Sequence, residues 1–328
     1  MSTNFKPPFS QTKDEPTQPT LATFFCDADG KIQRSTDDIR GSLTAELSMS
    51  RLNDIHNYLW LAGRPTASRP LHWQALLGRT IIICEQHDLH LCWYGSKMFL
   101  KPLSSYLLSC KFWEDYICVE EELHKNGCGL LLSYVWLVKH ESDLKIAKEM
   151  ELVPKSMEWI RWVALVNDIL QHIDANTLEK VNKRYQYGEL RLNRLNSIYR
   201  LNSICRLAPK LGYRDLVRGY HTRYTSYIDF LDNNFKFLLV VFAYVSIVLA
   251  AMQVGLGTDW LQLDTTFQVV SYGFAVFSII VPVIVAGVVL LMLTVLIIYN
   301  LVVTLQFGRK REKDRNTWKE EKEQSSNL

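Results

Sequence analysis

The sequence predicts an α+β fold: a mainly helical cytosolic domain with a small antiparallel β-meander, followed by a two-helix transmembrane hairpin. Three observations predict it. No charged residue occurs in residues 237–258 or 265–308. Everything before that apolar quarter is polar, mixed in composition and long enough to fold. Between Arg79 and Lys101, three short runs rich in β-branched and aromatic residues are separated by turn residues, while most of the remaining polar part has helical spacing.

The membrane segments come first. A helix needs about 20 apolar residues to cross a hydrocarbon layer about 30 Å thick. Residues 237–256 meet that requirement once, and without water to bond the backbone such a run must be helical. Ala251 and Gly255, four apart, either let a second helix approach closely or face lipid. The second apolar stretch is longer than one span needs and contains Pro282, which removes a backbone donor and kinks a helix. One long helix over residues 274–306, bent near Pro282, is expected, with Gly287 a further helix-packing position. Residues 261–273 then lie at the interface, where Trp260 and Tyr272 suit headgroup depth. The rival is two short spans split at Pro282, giving three crossings. Charge favours two. Arg214, Arg218, Arg223 and Lys236 precede the first span, Arg309, Lys310, Arg311, Lys313 and Arg315 follow the last, and the connecting loop carries only Asp259 and Asp264. Lys/Arg-rich flanks stay cytoplasmic, so both termini are expected inside and the number of crossings even.

The net charge of +3 implies no general affinity for polyanions. Seven cysteines, Cys26, Cys84, Cys92, Cys110, Cys118, Cys128 and Cys205, are odd in number, irregular in spacing and on the expected cytoplasmic side, where thiols stay reduced. No Asn-x-Ser/Thr acceptor occurs. The N-terminus lacks a basic-then-apolar signal pattern, so the first span is expected to act as the insertion signal.

Taken in order, residues 1–47 are rich in Pro, Thr, Ser and Asp and read as a disordered arm. A mixed domain follows over residues 48–175. Leu52, Ile55 and Leu59 recur at helical spacing, Gly63 and Pro65 end that helix, and residues 71–77 form another. Residues 79–85, 89–94 and 97–101 make the meander, with Gln86-His87-Asp88 and Gly95-Ser96 as turns. Pairing Glu85 with Leu89 puts Ile81, Ile83, Leu89, Leu91 and Trp93 on one face, and Ile82, Cys84, His90 and Cys92 on the other. Helices are expected over residues 104–122, 130–140 and 155–172, with Gly127 and Gly129 separating the first two. Residues 176–235 read as a basic, helical juxtamembrane segment broken at Pro209 and Gly212. Residues 236–308 are the hairpin, and residues 309–328 a charged cytosolic tail.

The stretches RLNDIHNYLWLAGRP from Arg51, YGELRLNRLNSIYRL from Tyr187, AMQVGL from Ala251 and SYGFAVFSIIVP from Ser271 resemble a family of uncharacterised fungal membrane proteins, a domain of unknown function. The resemblance covers about residues 48–308. It implies a fungal origin and two C-terminal transmembrane helices, and it brings no activity, ligand or catalytic residue.

Candidate chemistry is sparse. Cys84, His87, His90 and Cys92 are ligand types for zinc, but all four fall within one hairpin, where zinc sites usually draw on two separated pairs. His140, Glu141 and Asp143 look like acid–base residues, yet they read better as solvated residues in a capping turn. Cys128 between two glycines has no placed histidine in sequence. No phosphate loop, nucleophile elbow or HExxH pattern occurs. No catalytic residue, cofactor or metal is therefore assigned.

The basic run before the membrane says more. It includes Arg191, Arg194, Arg200 and Arg206 with tyrosines interleaved, and Leu192, Leu195 and Tyr199 keep an apolar face. Two readings stand: the arginines meet anionic lipid headgroups, each at about 1 kcal/mol near the surface, or they pair with acids of the domain. Tethering at a bilayer argues against nucleic acid.

Two functions follow as expectations. One is a membrane-tethered interaction or scaffold protein with an unnamed protein partner. The alternative is an oligomeric ion channel or transporter laid out like the CorA-type magnesium channels, but lacking their Gly-Met-Asn signature, since QVGLGTD stands in its place. Gln253, Ser246, Ser278 and Thr294 are the modest polar residues available to line such a path.

Overall fold

Residues 5–10, 21–27, 30–205 and 227–326 are described by a computed structural model. The chain divides into two units, Met1–Arg223 and Tyr224–Leu328.

The N-terminal arm, expected to be disordered, contributes to the first unit wherever it is described. Phe9 is buried, with its ring edge-on to Trp113 at 6.1 Å between centroids. Strands β1 (Phe24–Cys26) and β2 (Ile32–Arg34) pair antiparallel. Helix α1 (Ile39–Glu46) starts at Asp38, whose carboxylate accepts from the Gly41 N–H at 2.8 Å, the usual role of an N-cap aspartate. Leu43 and Leu47, one turn apart, are fully buried.

Leu52, Ile55 and Leu59 are also fully buried, but not on one helix: Leu52 lies on α2 (Ser50–Asp54), Leu59 on a 3-10 turn, His56–Leu61, and Ile55 joins the two. Helix α3 (Leu71–Leu76) follows Pro70 as expected.

The sheet is not the expected meander. Its order is β3 (Thr80–Ile83), β5 (Lys97–Leu100), β4 (Cys92–Tyr94), β6 (Leu190–Arg191). β3 lies parallel to β5, with Thr80 opposite Lys97. β4 is antiparallel to β5, with Cys92 opposite Phe99. The Gly95-Ser96 turn holds, with Gly95 at φ +57°. The Gln86-His87-Asp88 turn does not. His87–Leu89 is a buried 3-10 turn, so the chain passes through the core and returns on the far side of β5. Leu91, at φ 62°, makes that return. The predicted faces fail with the register: Leu91 and its neighbour Cys92 are both fully buried, while Ile83 is exposed.

Past Ser104 the expected single helix is broken into a 3-10 turn (Ser105–Leu108), α4 (Cys110–Phe112) and a π turn (Trp113–Ile117) that places Trp113 in the core. Helix α5 (Glu121–Leu137) then runs straight through Gly127 and Gly129, the expected breaks. A Cβ on Gly127 would lie 2.9 Å from Trp113, and one on Gly129 would overlap the Tyr185 ring. These glycines admit two large buried rings against the helix. Helices α6 (Glu141–Glu149) and α7 (Trp159–His172) follow; α7 buries Trp162, Leu165 and Ile169.

Of the segment expected to be helical from residue 176, Lys183–Gln186 is a 3-10 turn, β6 completes the sheet, and α8 (Leu192–Cys205) is helix. Leu192, Leu195, Ile198 and Tyr199 bury α8 against the first unit. Pro209 and Gly212 lie outside the described residues.

The second unit holds α9 (Tyr227–Leu256), α10 (Asp259–Gln262) and α11 (Thr265–Ser326). α11 begins nine residues before the expected start and continues unbroken past Pro282 into the charged tail. Most of the residues expected at the interface are thus the first turns of α11. Leu239–Leu256 and Thr265–Val288 are long and apolar enough to cross a membrane. Their side chains point outward: Phe242 is 63% exposed, Ile247 68% and Ile279 69%.

Candidate functional site

The residues with the strongest chemistry are engaged in holding the fold. His87 lies between the Leu47 carbonyl, 3.0 Å from Nδ1, and the Tyr185 hydroxyl, 2.8 Å from Nε2. A carbonyl only accepts, so Nδ1 carries the proton and Nε2 accepts from Tyr185. Burial holds this ring's pKa down to about 3. His90 accepts the Lys101 N–H at Nδ1 and donates from Nε2 to Ser133, and burial holds it well below the usual histidine range. Burial pushes the Cys92 thiol up to about 12. The zinc ligand types therefore have other partners, and among the described residues no group of three or more His, Cys, Asp or Glu could hold a metal.

The expectation that Asp143 is solvated is corrected. It is fully buried. One oxygen accepts from the His72 N–H and Nδ1 at 2.7 and 2.8 Å; the other accepts from the Lys139 and His140 N–H groups. One carboxylate thus caps the N-termini of both α3 and α6, where helix dipoles favour negative charge.

A cavity of about 520 Å³ lies between residues 5–8, α5 and residues 172–180, lined by Lys6, His124, Cys128, His172 and Lys180 among others. The histidine near Cys128 is His124, one turn before it on α5. The Cys128 sulfur lies 3.7 Å from Nδ1 and 3.8 Å from Nε2. A thiol on the Nδ1 lone-pair axis would be far closer to one nitrogen than to the other. Burial also pushes the Cys128 thiol well up. The pair is not an activated nucleophile.

Glu189, just before β6, is a hub. It binds Arg69 at 2.6 Å, Arg79 at 2.7 Å and Gln74 at 2.9 Å. Burial raises its pKa, but these hydrogen bonds outweigh burial and bring it to about 2. Arg184, in the same stretch, is fully buried and donates to the carbonyls of His90 and Tyr187.

The four arginines expected to contact lipid or a partner divide. Arg191 and Arg194 are exposed on the first unit. The Arg191 N–H donates to the Ala62 carbonyl, and its guanidinium lies 4.9 Å over Trp93; Arg194 donates to the Leu61 carbonyl at 2.9 Å. Both therefore border the 3-10 turn His56–Leu61. Arg200 lies on α8, but its side chain is outside the described residues, as is all of Arg206.

The helix-packing positions divide too. Gly255 is buried, and a Cβ there would lie 2.8 Å from Phe267 of α11, so this glycine lets the two helices close at their connection. Ala251 and Pro282 are exposed, and a Cβ on Gly287 would meet nothing within 4 Å. The hydroxyls of Ser246, Ser278 and Thr294 donate to the carbonyls of Phe242, Ala275 and Leu290 in their own helices.

No curated protein and no solved structure matches the chain. The match to a family model starts at Ile39, the first residue of α1, and ends at Pro282 within α11, so it takes in the first unit from α1 onward, α9 and the start of α11. The chain belongs to that family, a family of unknown function (DUF6601), matched over residues 39–282.

Proposed function

We propose that the protein is an integral membrane protein that holds a folded interaction domain at the cytoplasmic surface of a bilayer. One observation carries the reading: Leu239–Leu256 and Thr265–Val288, each long enough to cross a bilayer, turn large apolar side chains outward. Apolar patches of that size mark contact with lipid or another protein. The topology rests on charge. Basic residues flank the two spans, and the short connection holds Asp259 and Asp264, so the chain crosses twice with both ends cytoplasmic. The likeness to fungal membrane proteins of the same layout supports a fungal origin. No activated nucleophile among the described residues recommends an enzyme over an interaction module.

Epitopes test the topology. In sealed vesicles with the cytoplasmic face outward, tags at both termini are expected to be cut by added protease, and a tag after Thr258 protected. Protection of the C-terminal tag while the N-terminal tag is cut contradicts two crossings.

A further inference from the structure

The 3-10 turn His56–Leu61 carries two apolar side chains that the first unit leaves in solvent, Trp60 at 61% exposure and Leu61 at 39%. The turn is fixed from below. Ile55 and Leu59 are fully buried, the Arg194 guanidinium holds the Leu61 carbonyl, and the Arg191 N–H holds the Ala62 carbonyl. Around it lie exposed cations: Arg64 three residues on, Arg191 and Arg194 across those hydrogen bonds, and Lys183, whose carbonyl meets His56 at 3.1 Å. Glu189, the nearest acid in sequence to Arg191, is taken up by Arg69 and Arg79.

We infer that this turn is a membrane-docking wedge, with Trp60 and Leu61 entering the headgroup layer of an anionic bilayer while Arg64, Lys183, Arg191 and Arg194 meet its phosphates. Three features favour lipid over a protein partner. An exposed tryptophan beside a leucine and ringed by cations matches the chemistry of a bilayer interface, where tryptophan is enriched and anionic headgroups attract arginine and lysine. The wedge is rigid, so little conformational freedom is lost on docking. The chain from Cys205 to Tyr227, at about 3.3 Å per extended residue, can reach no further than about 75 Å to the start of α9, which carries the first span, and this keeps the local concentration of bilayer high. This inference rests on the membrane reading of α9 and α11.

The test uses the full chain in vesicles of neutral lipid, with or without about 30% phosphatidylserine. Flotation after an alkaline wash reports insertion alone; a protein that does not float overturns the membrane reading itself. Amide exchange over residues 56–64 and 189–194 reports docking. Slower exchange in anionic than in neutral vesicles is expected. Arg64→Glu, on an exposed turn, should weaken the docked state at least about five-fold, the effect of losing about 1 kcal/mol of attraction. Trp60→Ser should remove the protection while leaving flotation intact. Equal exchange in the two lipids, protection that survives both substitutions, or protection that appears only when a soluble protein is added would each overturn the wedge.

Discussion

Glu189 and His87 respond to acid in the same direction for different reasons. Hydrogen bonds from Arg69, Arg79 and Gln74 bring Glu189 to about 2, against about 4.3 in an unfolded chain. Its contribution is complete above about pH 4.3 and is lost as pH falls towards 2. Burial holds His87 to about 3, against about 6.5 unfolded, so from about pH 6.5 downward the unfolded chain takes a proton that the folded chain refuses. His90 adds to this. The urea midpoint of the full-length protein in detergent, followed by tryptophan fluorescence, should therefore fall from about pH 7 to about pH 5, and fall further below about pH 4.3. His87→Gln should flatten the first fall; an unchanged slope contradicts the role given to this ring. Glu189→Ala removes the carboxylate partner of the Arg79 guanidinium, only 7% exposed, leaving it the Gln74 oxygen and the Trp93 ring, and should cost about 3 kcal/mol at neutral pH.

At the scale of elements, α5 sets local preference against packing. Alanine is better than glycine inside a helix by about 1 kcal/mol. At Gly129 a methyl group would overlap the ring of Tyr185, which is itself buried and bound to His87. Overpacking of that kind costs about 1–3 kcal/mol, which offsets or exceeds the helix gain, so Gly129→Ala should lower stability by up to about 2 kcal/mol net. A gain in the same urea titration would show that the ring moves freely. This is also why the sequence misleads here: a glycine that ends a helix and one that admits a ring look alike until the ring's position is known. Strand order was hidden for a similar reason. The alternation in residues 79–101 marks strands but not their neighbours, and β6 comes from about ninety residues downstream. The buried role of Asp143 depends on His72, across a gap no local pattern spans. By contrast, α3, the Gly95-Ser96 turn, the apolar face of α8 and the two long apolar helices were legible, because each depends on nearby residues alone. The cations of the docking wedge were partly legible; Trp60 was not, since exposure of one residue in an apolar turn needs the fold.

For the whole molecule, the central matter is what covers α9 and α11. As helix, residues 265–308 are about 66 Å long, roughly twice the hydrocarbon thickness of a bilayer. A long uncharged helix accommodates such an excess by tilting, by bending near Pro282 or by packing with other helices. A first unit with its own core and a second unit with apolar sides facing out are what a domain tethered to a membrane requires. The most direct measurement is alkaline carbonate extraction of membranes from cells making the full-length protein. The protein should stay in the membrane pellet and be released only by detergent. Recovery in the carbonate supernatant without detergent would contradict the account.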